Sequence, residues 1–273
     1  EVLPAVPVLH ARAGEHPGIG VDDHHVRLDR VRFVVGADEG ALGLGRRRFA
    51  PAGRDARRIL RAYRSLAKSN SHLLSSILGG KAPKQWAHYP DDDAIDAKRG
   101  YQWYYHSHSP ADRPGAVEHG HIHLFVRTDA RRSLIDSGAE ATFLKRMPSD
   151  DSASKTRHLL AIGLSPVGVP ISLFTTNRWV TGDQLLSSNS SLRLLQSISM
   201  DTGNSGIDQM ICSLLRLLQP KLASLFRKRD RTLFARARRG PGALDDESVE
   251  VLSEIPINLD RAIATARRRA LIS

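Results

Sequence analysis

The chain has a single cysteine, Cys212, among 273 residues, so no intrachain disulfide can form, and a reducing compartment fits that count. No run approaches the roughly 18–20 continuous apolar residues of a membrane-spanning helix. The opening EVLPAVPVLHARAG lacks the basic start and unbroken apolar core of a secretory signal. These absences together lead to the expectation of a cytoplasmic protein with no membrane association. Several catalytic signatures are missing as well. Gly80-Lys81 has Ser75 where the first glycine of a phosphate-binding loop would stand. No G-x-S-x-G elbow occurs. The run Asp91-Asp92-Asp93 lacks the spaced acids and the glycine of a calcium loop, and reads as a solvated turn.

The composition is that of a globular protein, with 41% hydrophobic and 25% charged residues. The net charge is +11 and its excess is uneven. Residues 219–240 carry Lys221, Arg227, Lys228, Arg229, Arg231, Arg236, Arg238 and Arg239 against Asp230 alone. Such a surface attracts phosphates, so the segment 221–239 is a candidate nucleic-acid-binding face, although no nucleic-acid motif accompanies it and a solvated helix face is the favoured alternative.

Residues 1–53 show no sustained period apart from VRLDRVRFVV (26–35), and read as a variable, poorly packed arm. Asp55 is the expected cap of a helix running to about Leu78, along which apolar residues recur at helical steps until Gly79-Gly80 stop it. A long loop is expected over 79–100. Extended segments follow at 101–108, 119–127, 158–164 and 169–180, with a helix capped by Thr128 over 129–147. Helices are expected over 205–218 and from Pro220 to about Ala237, then a strand at 248–257 and a short helix capped by Asp260. The pattern predicts an α+β fold, with an antiparallel sheet backed by helices and a helical C-terminal third. One domain over 54–260 and a basic helix or tail over 261–273 complete the expected organisation.

Five of the twelve histidines fall within eighteen residues: His106, His108, His119, His121 and His123. Strand side chains alternate between faces. His106 and His108 therefore share one face of the first extended segment with Gln102 and Tyr104. His119, His121 and His123 share one face of the next with Phe125 and Arg127. Tyr101, Trp103, Tyr105, Ile122, Leu124 and Val126 take the opposite, core side. If the two segments pair, their imidazoles gather.

Neutral imidazole offers a lone pair to zinc or to non-haem iron, and an open coordination position would let the metal activate water or bind a substrate. The five histidines are the ligand pool, Glu118 is a ligand or general base, and His121 is the central catalytic candidate. Haem held between this face and the aromatics ranks behind zinc and iron. A polar, hydrogen-bonded strand face is the alternative to a metal site. Arg127 and Arg178 are the candidate clamp for a small anionic substrate. His158, at the start of a neighbouring strand, can join the cluster or cap a strand end.

Two resemblances attach to these segments. His119-Gly120-His121-Ile122-His123-Leu124-Phe125 resembles the histidine-triad motif of nucleotide hydrolases and transferases. By that resemblance His121 would be the nucleophile, with His119 and His123 orienting it and holding phosphate oxygens. WAHYPDDDAIDAKRGYQWYYHSH, EHGHIHLFVR and LFTTNRWVTGD resemble an uncharacterised bacterial family, a domain of unknown function spanning about 55 to 260. That second resemblance implies a domain extent and no activity. Three functional readings follow: a metal-binding protein acting as a metal-dependent enzyme on a small anion, a basic nucleic-acid or phosphate-binding module, and a nucleotidyl-histidine hydrolase.

Overall fold

The computed structural model describes residues 51–108, 117–147 and 154–272. The expected 26–35 strand lies outside them. Six strands form one sheet in chain order, every neighbouring pair antiparallel. They are β1 (Tyr89–Asp96), β2 (Tyr101–Ser107), β3 (Gly120–Arg127), β4 (Thr156–Leu164), β5 (Pro170–Thr176) and β6 (Val251–Pro256). The helices are α1 (Pro51–Lys68), α2 (Leu73–Leu78), α3 (Ser137–Arg146), α4 (Arg178–Thr181), α5 (Ser188–Gln196), α6 (Ser205–Leu217), α7 (Gln219–Ala237) and α8 (Leu259–Ile272). This is the α+β architecture expected, with a helical C-terminal region. No described helix is long and apolar enough to cross a membrane.

Alternation along the strands sorts the sheet into two chemically different faces. Tyr101, Trp103 and Tyr105 of β2, Ile122, Leu124 and Val126 of β3, and Leu160, Ile162 and Leu164 of β4 are buried in one cluster with residues of α1, α2, α5, α6, α7 and α8. Full burial of side chains this size makes the helix-covered face the main source of apolar stabilisation. Two of its aromatics also bond outward to helical partners. The Tyr101 hydroxyl donates to Leu194 O at 2.8 Å, and Trp103 Nε1 donates to Asp208 at 2.9 Å. Ile263 and Ala266 of α8 are buried in the same cluster as Ile59 of α1, so the terminal helix is packed into this core.

Several local expectations need correction, among them the 169–180 strand, which ends at Thr176 before α4, and the Asp260 cap, since Asp260 lies inside α8 and Asn258 accepts from Arg261 N. Residues 89–96 form strand β1 where a loop was expected. Proline and three aspartates disfavour strand, but this is an edge strand, where such residues are tolerated, and Asp91 and Asp92 stay exposed. The single 55–78 helix is two, broken at 69–72, where Asn70 takes a positive φ of 50°. Asp55 does not cap it. It lies inside α1 and pairs with Arg216 at 3.0 Å. The 129–147 helix is a 3-10 turn at Asp129–Leu134 followed by α3, whose cap is Asp136 rather than Thr128. Helix α5, capped by Ser187, had no sequence signal strong enough to stand out among its serines.

The basic segment 221–239 is largely α7, and the fold uses part of its charge internally. Arg229 is 1% exposed. Its guanidinium donates to Leu186 O and to Asp230 at 2.7 Å and lies 4.9 Å from the Phe226 ring. Lys221 and Lys228 donate to the carbonyls of Pro256 and Glu254 at 2.7 and 3.2 Å, and Arg236 pairs with Asp246. Arg229 is therefore a core residue and not a surface cation. Arg229→Met leaves the Leu186 carbonyl without this donor and Asp230 with the Ser188 hydroxyl but no paired cation, and should cost about 3 kcal/mol, the scale of a broken buried pair, in urea unfolding. Arg227→Gln, on the exposed side, should fall within about 0.5 kcal/mol of the parent.

Candidate metal centre

The second sheet face carries the histidines. Strand pairing places His106, His121, Gly163 and Ser172 in one row across β2 to β5, and Tyr104, His123, Ala161 and Phe174 in the next. The small residues of β4 leave space where the histidines stand. Phe125 and Phe174 are buried on this face, apart from the two apolar clusters of the molecule. They wall the imidazoles, with Phe174 edge-on to His121 at 4.9 Å and Phe125 at 5.1 Å from His158.

Three imidazoles converge through the same atom. His121 Nε2 lies 2.8 Å from His106 Nε2 and 3.0 Å from His123 Nε2. The three residues are 9%, 2% and 1% exposed for His106, His121 and His123. Metal–nitrogen bonds of about 2.0–2.1 Å at tetrahedral or octahedral angles separate ligand nitrogens by about 2.9–3.4 Å. The two spacings from His121 need only a small expansion to meet that geometry, and the three residues, whose ligand atoms all lie within 4.8 Å of one another, can hold a metal ion.

The outer nitrogens are tied down in a consistent direction. His121 Nδ1 lies 3.2 Å from Glu118 Oε1. An ionised carboxylate can only accept, so Nδ1 carries the proton and Nε2 keeps its lone pair for the centre. His123 Nδ1 lies 3.0 Å from His158 Nε2, and His158 Nδ1 lies 3.2 Å from the Thr176 hydroxyl. Proton donation running outward along that chain leaves His123 Nε2 bare as well. Burial first, then the neighbouring imidazoles, hold the His123 pKa well below its ordinary value. Burial, reinforced by Arg229, pushes His158 down to about 3. Both rings are therefore neutral at neutral pH, the form a metal requires.

Two devices in the backbone make this arrangement. A bulge between Leu124 and Phe125 of β3 pairs Phe125 with His158, so that one residue of β4, Leu159, is passed over. In regular alternation His158 would fall on the core face. The bulge turns it toward His123 and sends Leu159 into the main core. Gly163 is the second device. A Cβ there would collide with the Glu118 carboxylate and the Ser172 hydroxyl, closer than real Cβ contacts come. Gly163→Ala should displace Glu118 without unfolding the sheet, and Glu118→Gln should weaken its hold on His121. Each is expected to lower metal affinity by about 10–100-fold, measured by competition with a chelator.

The sequence candidates divide accordingly. His106, His121 and His123 meet, and Glu118 stands behind His121 as its orienting partner. His108 packs beside them, its ring 4.7 Å from His106 and 4.9 Å from His121, outside the converging set. His119 is turned away: its Nδ1 pairs with the Tyr105 hydroxyl at 2.7 Å, on the core side, because residue 119 precedes the regular strand. Neither arginine forms the expected clamp. Arg127 donates to Asp129 at 2.8 Å and Arg178 pairs with Asp245. Asn177 is a fold residue, capping α4 and donating to Ala243 O at 3.0 Å. His158, Thr176 and Gly163 complete the site. Only His158 had drawn notice in the sequence, and its role depends on a bulge that periodicity cannot show.

A family model for a domain of unknown function, DUF6969, matches residues 53–257. The chain belongs to this family. No curated protein and no solved structure matches it. The DUF6969 domain thus contains the whole converging site but lends it no activity. The match agrees with the expected uncharacterised family and does not extend to the histidine-triad proteins. The geometry departs from that motif too, since His121 points its Nε2 at two imidazoles and His119 leaves the face.

Proposed function

We propose that the protein is a metal-dependent enzyme that holds one divalent transition metal, zinc or iron, through His106, His121 and His123. The observation that carries this reading is that the buried His121 Nε2 lies 2.8 and 3.0 Å from the Nε2 atoms of His106 and His123, with Nδ1 of His121 and of His123 each in a hydrogen bond. Three protein nitrogens are one short of the closed set of a structural zinc site, and match the catalytic pattern that keeps a position open. A metal so held supplies Lewis acidity at that open position. Glu118 holds the His121 proton at Nδ1, and the His158–Thr176 pair does the same for His123. Phe125 and Phe174 limit water around the imidazoles. With both arginines bonded to aspartates, substrate recognition passes to groups nearer the triad.

Elemental analysis of the purified full chain is the direct test. One equivalent of zinc or iron per chain is expected, and a chelator-stripped sample should take up one equivalent of zinc at pH 7. A stripped protein that folds and takes up no zinc or ferrous iron would end the proposal.

A further inference from the structure

The triad is most accessible from the β2 side. Exposure rises from 1% at His123 through 2% at His121 to 9% at His106, and His108 is half-buried. Beyond them stands Trp86, at 57% the most exposed tryptophan of the described residues. Its ring lies edge-on to His106 at 5.9 Å and to His108 at 4.5 Å.

Two features of Trp86 run against ordinary packing. An indole left mostly in water forgoes the burial that makes this residue valuable in a fold. Its backbone is also left-handed, with φ of 63°, a conformation uncommon and costly for a bulky residue. The neighbouring chain enforces both. Gln85 bridges to Ser107 at the end of β2, and Trp86 N donates to Ser107 O at 3.3 Å, one residue beyond the ligand His106. The indole is thus pinned beside a ligand with more than half of the residue left exposed. A stacked pair, His88 on Tyr104 at 3.7 Å, continues the aromatic surface, and Tyr104 lies 5.7 Å from His106.

We propose that Trp86 is the docking residue for substrate at the metal centre, and that the substrate carries a planar aromatic or heteroaromatic ring next to its metal-ligating group. This rests on the metal reading above. Metal ligation fixes one end of the molecule, and stacking on the open indole fixes the ring, which an aliphatic ligand cannot exploit.

Benzohydroxamate and acetohydroxamate test this, because they share one ligating group and differ only in the ring. Both are titrated calorimetrically into the zinc-loaded full chain, with zinc content measured on the same samples. Benzohydroxamate should bind about tenfold more tightly, equivalent to about 1.4 kcal/mol. Trp86→Ala should reduce that preference below about twofold while zinc content and acetohydroxamate affinity stay unchanged, and Trp86→Phe should keep most of it. Equal affinities in the parent, a preference that survives Trp86→Ala, or a zinc-loaded protein that binds neither compound would overturn the assignment and leave the metal centre standing. A chain that takes up no zinc would overturn both.

Discussion

Alanine at His106, His121 or His123, one at a time, abolishes stoichiometric metal binding, whereas alanine at His108 or His119 leaves it nearly intact. The five residues look alike in sequence, and the fold separates them by where their nitrogens point. His121 Nε2 stands within 3.0 Å of both partner nitrogens, so its loss removes the central donor and leaves two. Removing an outer-shell hydrogen bond costs about 10–100-fold in metal affinity, and removing a ligand should exceed that. His119 contributes a bond to Tyr105 and no lone pair to the centre. His108 stays within ring contact of His106 and His121, so its removal should shift affinity less than about tenfold. The measurement is a chelator competition on folded variants, with circular dichroism as the control. Replacement by glutamine at 121 guards against a cavity effect, since a neutral amide fills the space without restoring the imidazole lone pair. Equal losses across all five positions would mean that the convergence of His106, His121 and His123 does not select the ligands, and the assignment of those three would fall.

How much of this was legible in the sequence depends on the range of the cause. Parity along 101–107 and 120–127 is a one-residue rule, and it placed Tyr101, Trp103 and Tyr105 in the core and His106, His121 and His123 together. It failed at His119, where the regular strand has not yet begun, and the side chain follows the local turn. It could not place His158, because a bulge reverses parity and leaves no mark in composition. Gly163 carried no signal either: its meaning lies in Glu118, a residue 45 positions earlier, which occupies the space a side chain would need. Charge patterning overreached for the same reason. Arg127, Arg178 and Arg229 read as open cations, but each meets an aspartate that only the folded chain brings near or orients. Edge strand β1 escaped because its Tyr89-Pro90 and aspartates obey the rules for loops until pairing with β2 supplies their context.

The metal-free protein should lose stability on mild acidification, in a window set by its buried imidazoles. His123 and His158 both have folded pKa values below the ordinary 6.5, His158 at about 3. At these positions, and at His119, whose pKa burial also lowers, the unfolded chain binds more protons than the folded one once the pH is under about 6.5, so their contribution is present above that value and fades as pH falls toward the folded pKa values. Each such proton is worth about 1.4 kcal/mol per pH unit. One group opposes them. Burial raises the Asp183 carboxyl to about 6 against an ordinary 3.8, so below pH 6 the folded state gains a proton that the unfolded state does not. The lowered imidazoles outnumber the one opposing carboxyl, so stability falls as pH drops below about 6.5, and Asp183→Asn should steepen that fall. His158→Gln should remove one of these protons and make the fall shallower. The carboxylates held low by their partners, Asp96, Asp129 and Asp246, add to the loss of stability as pH falls below about 5. Urea midpoints of the stripped protein at half-unit steps from pH 7.5 to 4.5 give the slope directly. A flat profile in the parent that does not steepen in Asp183→Asn would mean the imidazoles are already hydrated and charged in the folded protein, which a buried three-nitrogen metal centre does not allow.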